Sequence, residues 1–398
     1  MTNEIRPYSV GDELEVRVEK IVPRGLGLAF AEKLTVFVPL GVAGDRIRAK
    51  IVEIKKRIAF AEIVEILEPS PRRIAPTCPH FGTCGGCDFQ QMSYADQLAA
   101  KVGIISDCLR RIGKIEYEGD IKIIPSPQDF QYRSRAKWHA SREHKTLGYF
   151  RRDSHEVVDV ETCPILTPPL QTELARLRNS IDWDTMPADG IEIDASSGDG
   201  GHVSIYSADL MEPTSEIAFT AHGEMYAFSA RGFFQGNQLL IGELIDAALG
   251  DASGETALDL YCGVALFALP MSKKFKHVIG VEGNHSAINL AKQNTRHAGI
   301  ENIRFVRLGV GDFLSGHDLA NTDFILLDPP RSGTEKHTIR DIARLKPEQI
   351  AYISCEPSIL ARDLRMLLDR GYKIDSITAL DLFPQTHHVE TVARLSRS

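Results

Sequence analysis

The 398-residue chain contains no apolar run approaching the ~20 residues needed to cross a bilayer. Its start, MTNEIRPYSVGDELEV, lacks the apolar segment of a secretory leader. Both absences point away from membranes and toward the cytoplasm. A basic excess is missing too. The formal net charge is −8, which argues against a protein that binds nucleic acid over its whole surface. Cysteine is scarce, with seven residues in all, and cytosolic proteins seldom pair them as disulfides. No internal repeat and no low-complexity tract is present. What remains, at 43% hydrophobic and 25% charged, is ordinary globular material, long enough for two or three domains.

The few cysteines are not scattered. CPHFGTCGGCD places Cys78, Cys84 and Cys87 within ten residues, spaced C-x5-C-x2-C. Grouped thiols in a cytosolic protein more often bind a metal or do chemistry than form disulfides. The charge is also uneven. Residues 46–57 (RIRAKIVEIKKR), Arg72–Arg73 and residues 132–152 are locally basic. Solvated faces explain any one such run. Taken together, with Tyr132, Trp138, Tyr149 and Phe150 interleaved in the last, they weigh equally as a nucleic-acid surface.

Residues 8–68 alternate in short strands with Gly or Pro between them, the pattern of a small β-barrel. The Pro-rich stretch EPSPRRIAPTCP reads as a connector. A helix is expected from Tyr94 to Ile112, with Gly113 just past its end, and another near 168–180. Residues 120–230 read as mixed strand and loop. From about residue 238, apolar strands alternate with helices at 285–298, 336–344 and 358–370. That alternation predicts a parallel sheet with helices on both faces and ligands at the carboxyl ends of its strands.

The motifs fall at those ends. LDLYCGVALFAL (258–269) is a strand, a tight turn and a helix, and the next strand ends in Glu282. A carboxylate there can accept both hydroxyls of a ribose, while the turn's amides approach the ligand. Ala265 stands where a second Gly would complete a dinucleotide turn, so the pattern favours S-adenosylmethionine over NAD. Asp328, in LLDPPRSG, sits at the mouth of the site. Cys355, in YISCEPSILARDL, lies at the following strand end beside Ser358, which could start a helix. Most lone cysteines are small buried hydrophobes, but this place suits a nucleophile. His387, His388 and Glu390 then reach the start of the last strand, where a base would serve that nucleophile.

In their order these segments resemble the RNA uracil-5-methyltransferase family, in particular its iron–sulfur members with an N-terminal TRAM domain that modify 23S ribosomal RNA. YRSRAK (132–137), CP (163–164), FFQGNQ (233–238), DLYCGV, GVE, LDPPRSG, SCEPSILARDL and FPQTHHVETVARLSR all match in sequence order. The resemblance implies a multidomain chain. Residues 1–68 would form a TRAM/OB-like barrel that binds RNA, residues 69–235 a central α+β iron–sulfur domain, and residues 236–398 a class I methyltransferase domain. The helix at 94–112 would pack on the last of these. The resemblance makes Cys78, Cys84, Cys87 and Cys163 the ligands of a [4Fe–4S] cluster. Zinc also takes four thiolates, and spacing does not separate the two.

The implied chemistry is methylation of carbon 5 of uridine. A Cys355 thiolate adds to carbon 6, carbon 5 takes the methyl group of S-adenosylmethionine, and Glu390 removes the carbon-5 proton. Gln235, Tyr261, Gly263, Glu282, Asp312 and Asp328 fall at cofactor-site positions, with Asp328 also orienting the uracil. Arg133 and Arg135 would hold the RNA backbone, and Phe233 or Phe234 would stack on the flipped base. The family has Asn where this chain has Glu356, which is expected to point toward the following helix. The expected partner is 23S ribosomal RNA, with transfer RNA as the alternative, and the enzyme is expected to act as a monomer. Other readings are a radical S-adenosylmethionine enzyme, an amino-group methyltransferase, a redox-sensing cluster protein and a non-catalytic RNA-binding factor. The first is opposed by a first cysteine gap of five rather than three. Against the second, Arg331 stands where an aromatic residue would be. The cluster reads as structural rather than redox-sensing, and the Cys355/Glu390 pair opposes a factor without catalysis.

Overall fold

The structure, a computed structural model, describes residues 8–209, 214–316, 319 and 321–398. Residues 1–7, part of the segment on which the leader reading rests, lie outside it. Five strands, β1 (Glu13–Val22), β2 (Leu26–Ala31), β3 (Leu34–Val38), β4 (Arg46–Lys55) and β5 (Ile58–Glu68), close a barrel in the order β1-β2-β3-β5-β4. Alternate residues such as Val16, Val36, Ile47 and Ala59 fill it, as the period of two requires.

The cysteine-bearing loop leads into helix α1 (Tyr94–Cys108), whose Ser93 cap accepts from the Asp96 amide at 3.2 Å. The helix was expected to reach Ile112. It stops at Cys108, and the chain widens into a π-helical turn over Leu109–Gly113. Gly113 is therefore inside the last turn. A β-carbon there would lie 2.8 Å from the Ala361 carbonyl, so this glycine serves close packing rather than helix termination. Lys114 takes the left-handed capping conformation instead, at φ 53°.

Strand β6 (Lys122–Ile124) follows, then β7 (Arg135–Ser141), β8 (Thr146–Phe150), β9 (Val157–Asp159), helix α2 (Pro168–Ser180), β10 (Ile191–Ser197) and β11 (Val203–Tyr206). The last five strands form one antiparallel sheet in the order β11-β10-β7-β8-β9, and α2 closes its core with Leu170, Leu174 and Leu177 against Trp138 and Ile193. A hairpin of β12 (Ile217–Ala221) and β13 (Glu224–Phe228) follows.

The remainder is α3 (Ile241–Leu249), β14 (Gly254–Leu260), α4 (Ala268–Met271), β15 (Phe275–Val281), α5 (His285–His297), β16 (Ile303–Val306), α6 (Val310–Gly316), β17 (Phe324–Leu327), α7 (Lys336–Leu345), β18 (Gln349–Ser354), α8 (Pro357–Leu368), β19 (Tyr372–Leu380) and β20 (Glu390–Arg397). The sheet runs β16-β15-β14-β17-β18-β20-β19-β6. It is mixed rather than wholly parallel. No helix joins β19 to β20, so β20 returns antiparallel between β18 and β19. That connection, residues 381–389, is therefore free to cross the carboxyl end of β18. The expected border at 235/236 is also bridged in space, because β6 adds the edge strand to this sheet. Helix α1 is tied to it by Lys101, which pairs with Asp381, both fully buried. One core joins Ile21 and Val42 of the barrel, Ile104 and Ile105 of α1, and Leu360 and Leu364 of α8.

Candidate active site

Strand register brings the three expected reacting groups together. Ser354 pairs with Thr391 across antiparallel β18 and β20, so Cys355, one residue beyond, faces Glu390, one residue before. Leu327 pairs with Tyr352 in parallel β17, which sets Asp328 beside the same end. The strand interiors are wholly apolar and buried, and the polar chemistry starts where they stop.

Burial governs this cluster. It pushes the Cys355 thiol up to about 12, with Glu390 adding to the rise and Arg331 opposing it. Burial likewise lifts Asp328 to about 7. Glu390 is raised well above the usual carboxylate range, first by burial and then by Asp328. Two adjoining carboxyl groups cannot both ionise cheaply, so the site holds a proton near neutrality. Glu356 stays out of this exchange, as expected. It caps α8, accepting from the Ser358 amide at 3.3 Å and the Ser358 hydroxyl at 2.7 Å. Ser358, expected to start the helix, is capped by it.

The neighbouring loop after β14 is strained. Tyr261, Gly263 and Ala265 all take left-handed backbone, at φ 67°, 53° and 75°. Two of these carry a β-carbon, and such conformations persist where the surroundings hold them, often at functional sites. Glu282 provides part of that hold. One of its oxygens accepts the Gly263 amide at 3.2 Å and the other the Asn284 amide at 2.7 Å. Each oxygen keeps a second lone pair for a ligand hydroxyl. The Ala265 amide turns inward, to Cys262 O at 2.8 Å. The Tyr261 hydroxyl lies 2.8 Å from that of Thr334. Gln235 is buried, and Asp312 stands exposed on α6 after β16.

Asp259 was missed by the sequence reading. It is fully buried on β14, and among the described residues neither carboxylate oxygen has a partner in good hydrogen-bond geometry, though the Ala268 backbone approaches it. Burial, with Asp328 and Glu282 nearby, lifts it to about 8. A lone acid in an apolar strand was the available signal.

The other four expected thiols converge elsewhere. Cys78, Cys84, Cys87 and Cys163 line one small cavity with Gln90, Arg133 and Tyr149. Burial raises Cys87 to about 12 and Cys163 to about 11. Among the described residues, no three His, Cys, Asp or Glu side chains are gathered tightly enough to hold a single metal ion.

Two of the expected RNA contacts do not fit. Arg133 lines the thiol cavity and donates its Nε to Arg135 O at 3.1 Å, so it is spent on the interior. Phe234 is 3% exposed and stacks on Phe228 at 4.2 Å, which leaves no face for a base. The second error has a simple cause: successive residues of an extended segment face opposite ways, so Phe233 and Phe234 turn to opposite sides. Phe233, 66% exposed, stays on the outside, and half-buried Arg135, which pairs with Asp194 at 3.6 Å, has its guanidinium 5.6 Å from the Phe233 ring centre.

Known proteins match this architecture. Residues 206–398 match the family described as tRNA (Uracil-5-)-methyltransferase. A 23S rRNA (uracil(1939)-C(5))-methyltransferase of Shewanella sediminis is 31% identical, over 96% of this chain and 95% of its own. An RNA methyltransferase of Thermosynechococcus vestitus is 30% identical over 98% of this chain and 99% of its own. The crystal structure of the Pyrococcus abyssi tRNA (uracil-54, C5)-methyltransferase superposes with a TM-score of 0.76 at 24% identity, covering 96% of this chain and 100% of that one. It shares the fold.

Proposed function

The chain belongs to the RNA uracil-5-methyltransferase family, and we propose that it methylates carbon 5 of a uridine in 23S ribosomal RNA through a covalent adduct on Cys355. The observation that carries this reading is the register that sets Cys355 opposite Glu390 with Asp328 alongside. S-adenosylmethionine, when bound, supplies an electrophilic methyl group. The left-handed loop at 261–265 and the free lone pairs of Glu282 suit its adenosine half, and the Pyrococcus neighbour was solved with S-adenosyl-L-homocysteine.

The residues of the chain do the rest. The Cys355 thiol gives its proton to the Asp328 carboxylate beside it as its sulfur bonds to carbon 6 of the uracil, and the ring electrons move toward the carbonyl at carbon 4. Asp328, held partly protonated near neutrality, stabilises that enolate by donating a hydrogen bond. Carbon 5 takes the methyl group from the sulfonium sulfur, leaving S-adenosyl-L-homocysteine. Glu390 then takes the proton from carbon 5, the double bond re-forms, and the thiolate leaves. A buried carboxylate with a raised pKa is a competent base for such a carbon acid. The target base must leave its stack to reach the site, and exposed Phe233 suits it as a stacking face.

The four thiols of the second cavity would hold a [4Fe–4S] cluster. A cluster takes one thiolate per iron, whereas tetrahedral zinc with ~2.3 Å bonds would draw its sulfurs to about 3.8 Å of one another. The four thiols that line the one cavity match that number. Its chemistry when bound is a rigid cross-link of the 78–87 loop to the segment carrying Cys163.

In the decisive test, Glu390→Gln is incubated with S-adenosylmethionine and unmodified ribosomal RNA. The variant is expected to form an RNA–protein adduct stable on a denaturing gel and lost on adding Cys355→Ala. Turnover at the wild-type rate with no adduct would overturn the roles given to both residues. Mass mapping of 5-methyluridine in ribosomal and transfer RNA from cells lacking the gene decides the substrate. Transfer RNA is the second reading, because the matching family is described by that substrate.

A further inference from the structure

Resting on that methyltransferase reading, we propose that Arg24, on the β1–β2 turn of the barrel, is a phosphate ligand for the substrate RNA at the rim of the catalytic pocket. The turn Pro23–Gly25 is seated on the loop that delivers Glu390. A β-carbon on Gly25, at φ 70°, would come within 2.9 Å of the His387 Cβ and 3.1 Å of the Phe89 ring. Nothing larger than glycine allows the barrel to approach so closely. The neighbouring Arg24 is forced into left-handed backbone at φ 69°, ψ 15°, a conformation uncommon for such a side chain. The side chain it projects is exposed.

Charge then identifies the ligand. The chain carries a net charge of −8, so RNA must be met by local cations. Most arginines around the barrel are already neutralised: Arg17 and Arg46 pair with Glu68, Arg48 with Glu65, and Arg73 with Asp45. Arg24 forms no ion pair, hydrogen bond or ring contact among the described residues. Its turn touches His387, whose ring lies 4.1 Å from that of His388. The exposed Arg331 exerts its charge on His388, Cys355 and Glu390. Two guanidinium groups without an ion pair among the described residues, one beside the barrel glycine that meets His387 and one acting on His388, thus lie by the loop that delivers Glu390. Guanidinium groups in that position match the phosphates on either side of the extruded nucleotide.

The test uses the full-length enzyme with ribosomal RNA lacking the modification. Arg24→Asn removes the charge while tolerating left-handed backbone. It is expected to raise the KM for RNA about tenfold with kcat nearly unchanged, and to lower the salt slope of RNA binding by about one. Arg24→Lys should recover most of the loss. The control is Arg57→Asn. Arg57 is equally unpaired, but it lies on the β4–β5 hairpin at the opposite end of the barrel, as the pairing of Glu13 with Lys50 and of Arg17 with Arg46 requires. If Arg24→Asn and Arg57→Asn behave alike, the proposed contact is wrong. If the wild-type enzyme methylates no uridine, it is the methyltransferase reading that fails instead.

Discussion

Two regions of this molecule set thiols to different uses, and burial raises Cys84, Cys87 and Cys163 in one and Cys355 in the other. In the cavity of Cys78, Cys84, Cys87 and Cys163 the sulfurs have one another and Arg133 for company, with Arg152 also acting on Cys84. At the end of β18 one sulfur, Cys355, faces carboxyl groups, with Arg331 as the opposing charge. The first environment suits a resident metal centre, which ionises every thiol it binds. The second keeps its thiol protonated until substrate arrives. The same residue type is therefore directed to opposite ends by its company: other thiols in one place, proton acceptors in the other.

The contrast can be broken most sharply by exchanging single sulfurs for oxygens. Cys355→Ser should lower methyl transfer by at least about a thousandfold, because an alcohol is far less nucleophilic than a thiolate. Iron and sulfide content should not change. Cys163→Ser should do the reverse. Iron content and melting temperature should fall, and RNA binding should weaken, while affinity for S-adenosylmethionine changes less than twofold. Iron and sulfide analysis, thermal melts and cofactor titration of the two variants would decide it. Equal losses in all assays would mean that the two thiol regions are not separate.

The physical link between the regions sets how much crosstalk is expected. Gln385 O accepts the amides of Asp88 and Phe89 at 2.9 and 3.0 Å, and Asp88 lies 2.7 Å from the His387 ring nitrogen. The thiol loop thus braces the connection that ends in Glu390. Little of this could be read from the sequence. Cys355, Glu390 and Asp328 were legible because Cys355 and Asp328 directly follow apolar strands and Glu390 opens one, so local pattern fixes their height in the sheet. The antiparallel return of β20, which brings Glu390 opposite Cys355, was not, because strand order is a tertiary choice. Arg133 and Phe234 failed for a related reason: composition marks a basic or aromatic segment without showing which way each side chain turns. Asp259 left only the signal of a lone acid in an apolar strand, and the turn at Arg24 was invisible for want of a partner in sequence. What makes them notable is an absent hydrogen bond in one case and a neighbour hundreds of positions away in the other.

A smaller effect should separate the two kinds of thiol by pH. A buried thiol raised to about 12 is almost wholly protonated in neutral solution. Its thiolate fraction then grows about tenfold for each unit of pH below that value. Alkylation of Cys355 by iodoacetamide in the RNA-free enzyme, followed by peptide mass spectrometry, should climb without a plateau from pH 7 to pH 10. The four cavity thiols should be protected in cluster-loaded protein and become labelled once iron is removed by chelation. A plateau for Cys355 below pH 9 would show that Arg331 ionises it before substrate binds, and would end the distinction drawn between the two regions.

The smallest effect concerns Glu356, the carboxylate directly beside the nucleophile in sequence. Proximity along the chain suggests that it should raise the thiol further. The geometry says otherwise. Its side chain is committed to Ser358, through the amide and the hydroxyl together, and so points down α8. Its charge acts on Cys108, on the other side, and is not among those that shift Cys355. Glu356→Gln keeps an oxygen for the cap while removing the charge, so methyl transfer and the labelling curve of Cys355 should change less than about twofold. Glu356→Ala loses the cap as well and should lower stability by about 1 kcal/mol with kcat still near normal. A large drop in kcat for the glutamine variant alone would place the carboxylate in the reaction. The separation of Cys355 from all charges but Glu390, Asp328 and Arg331 would then have to be abandoned.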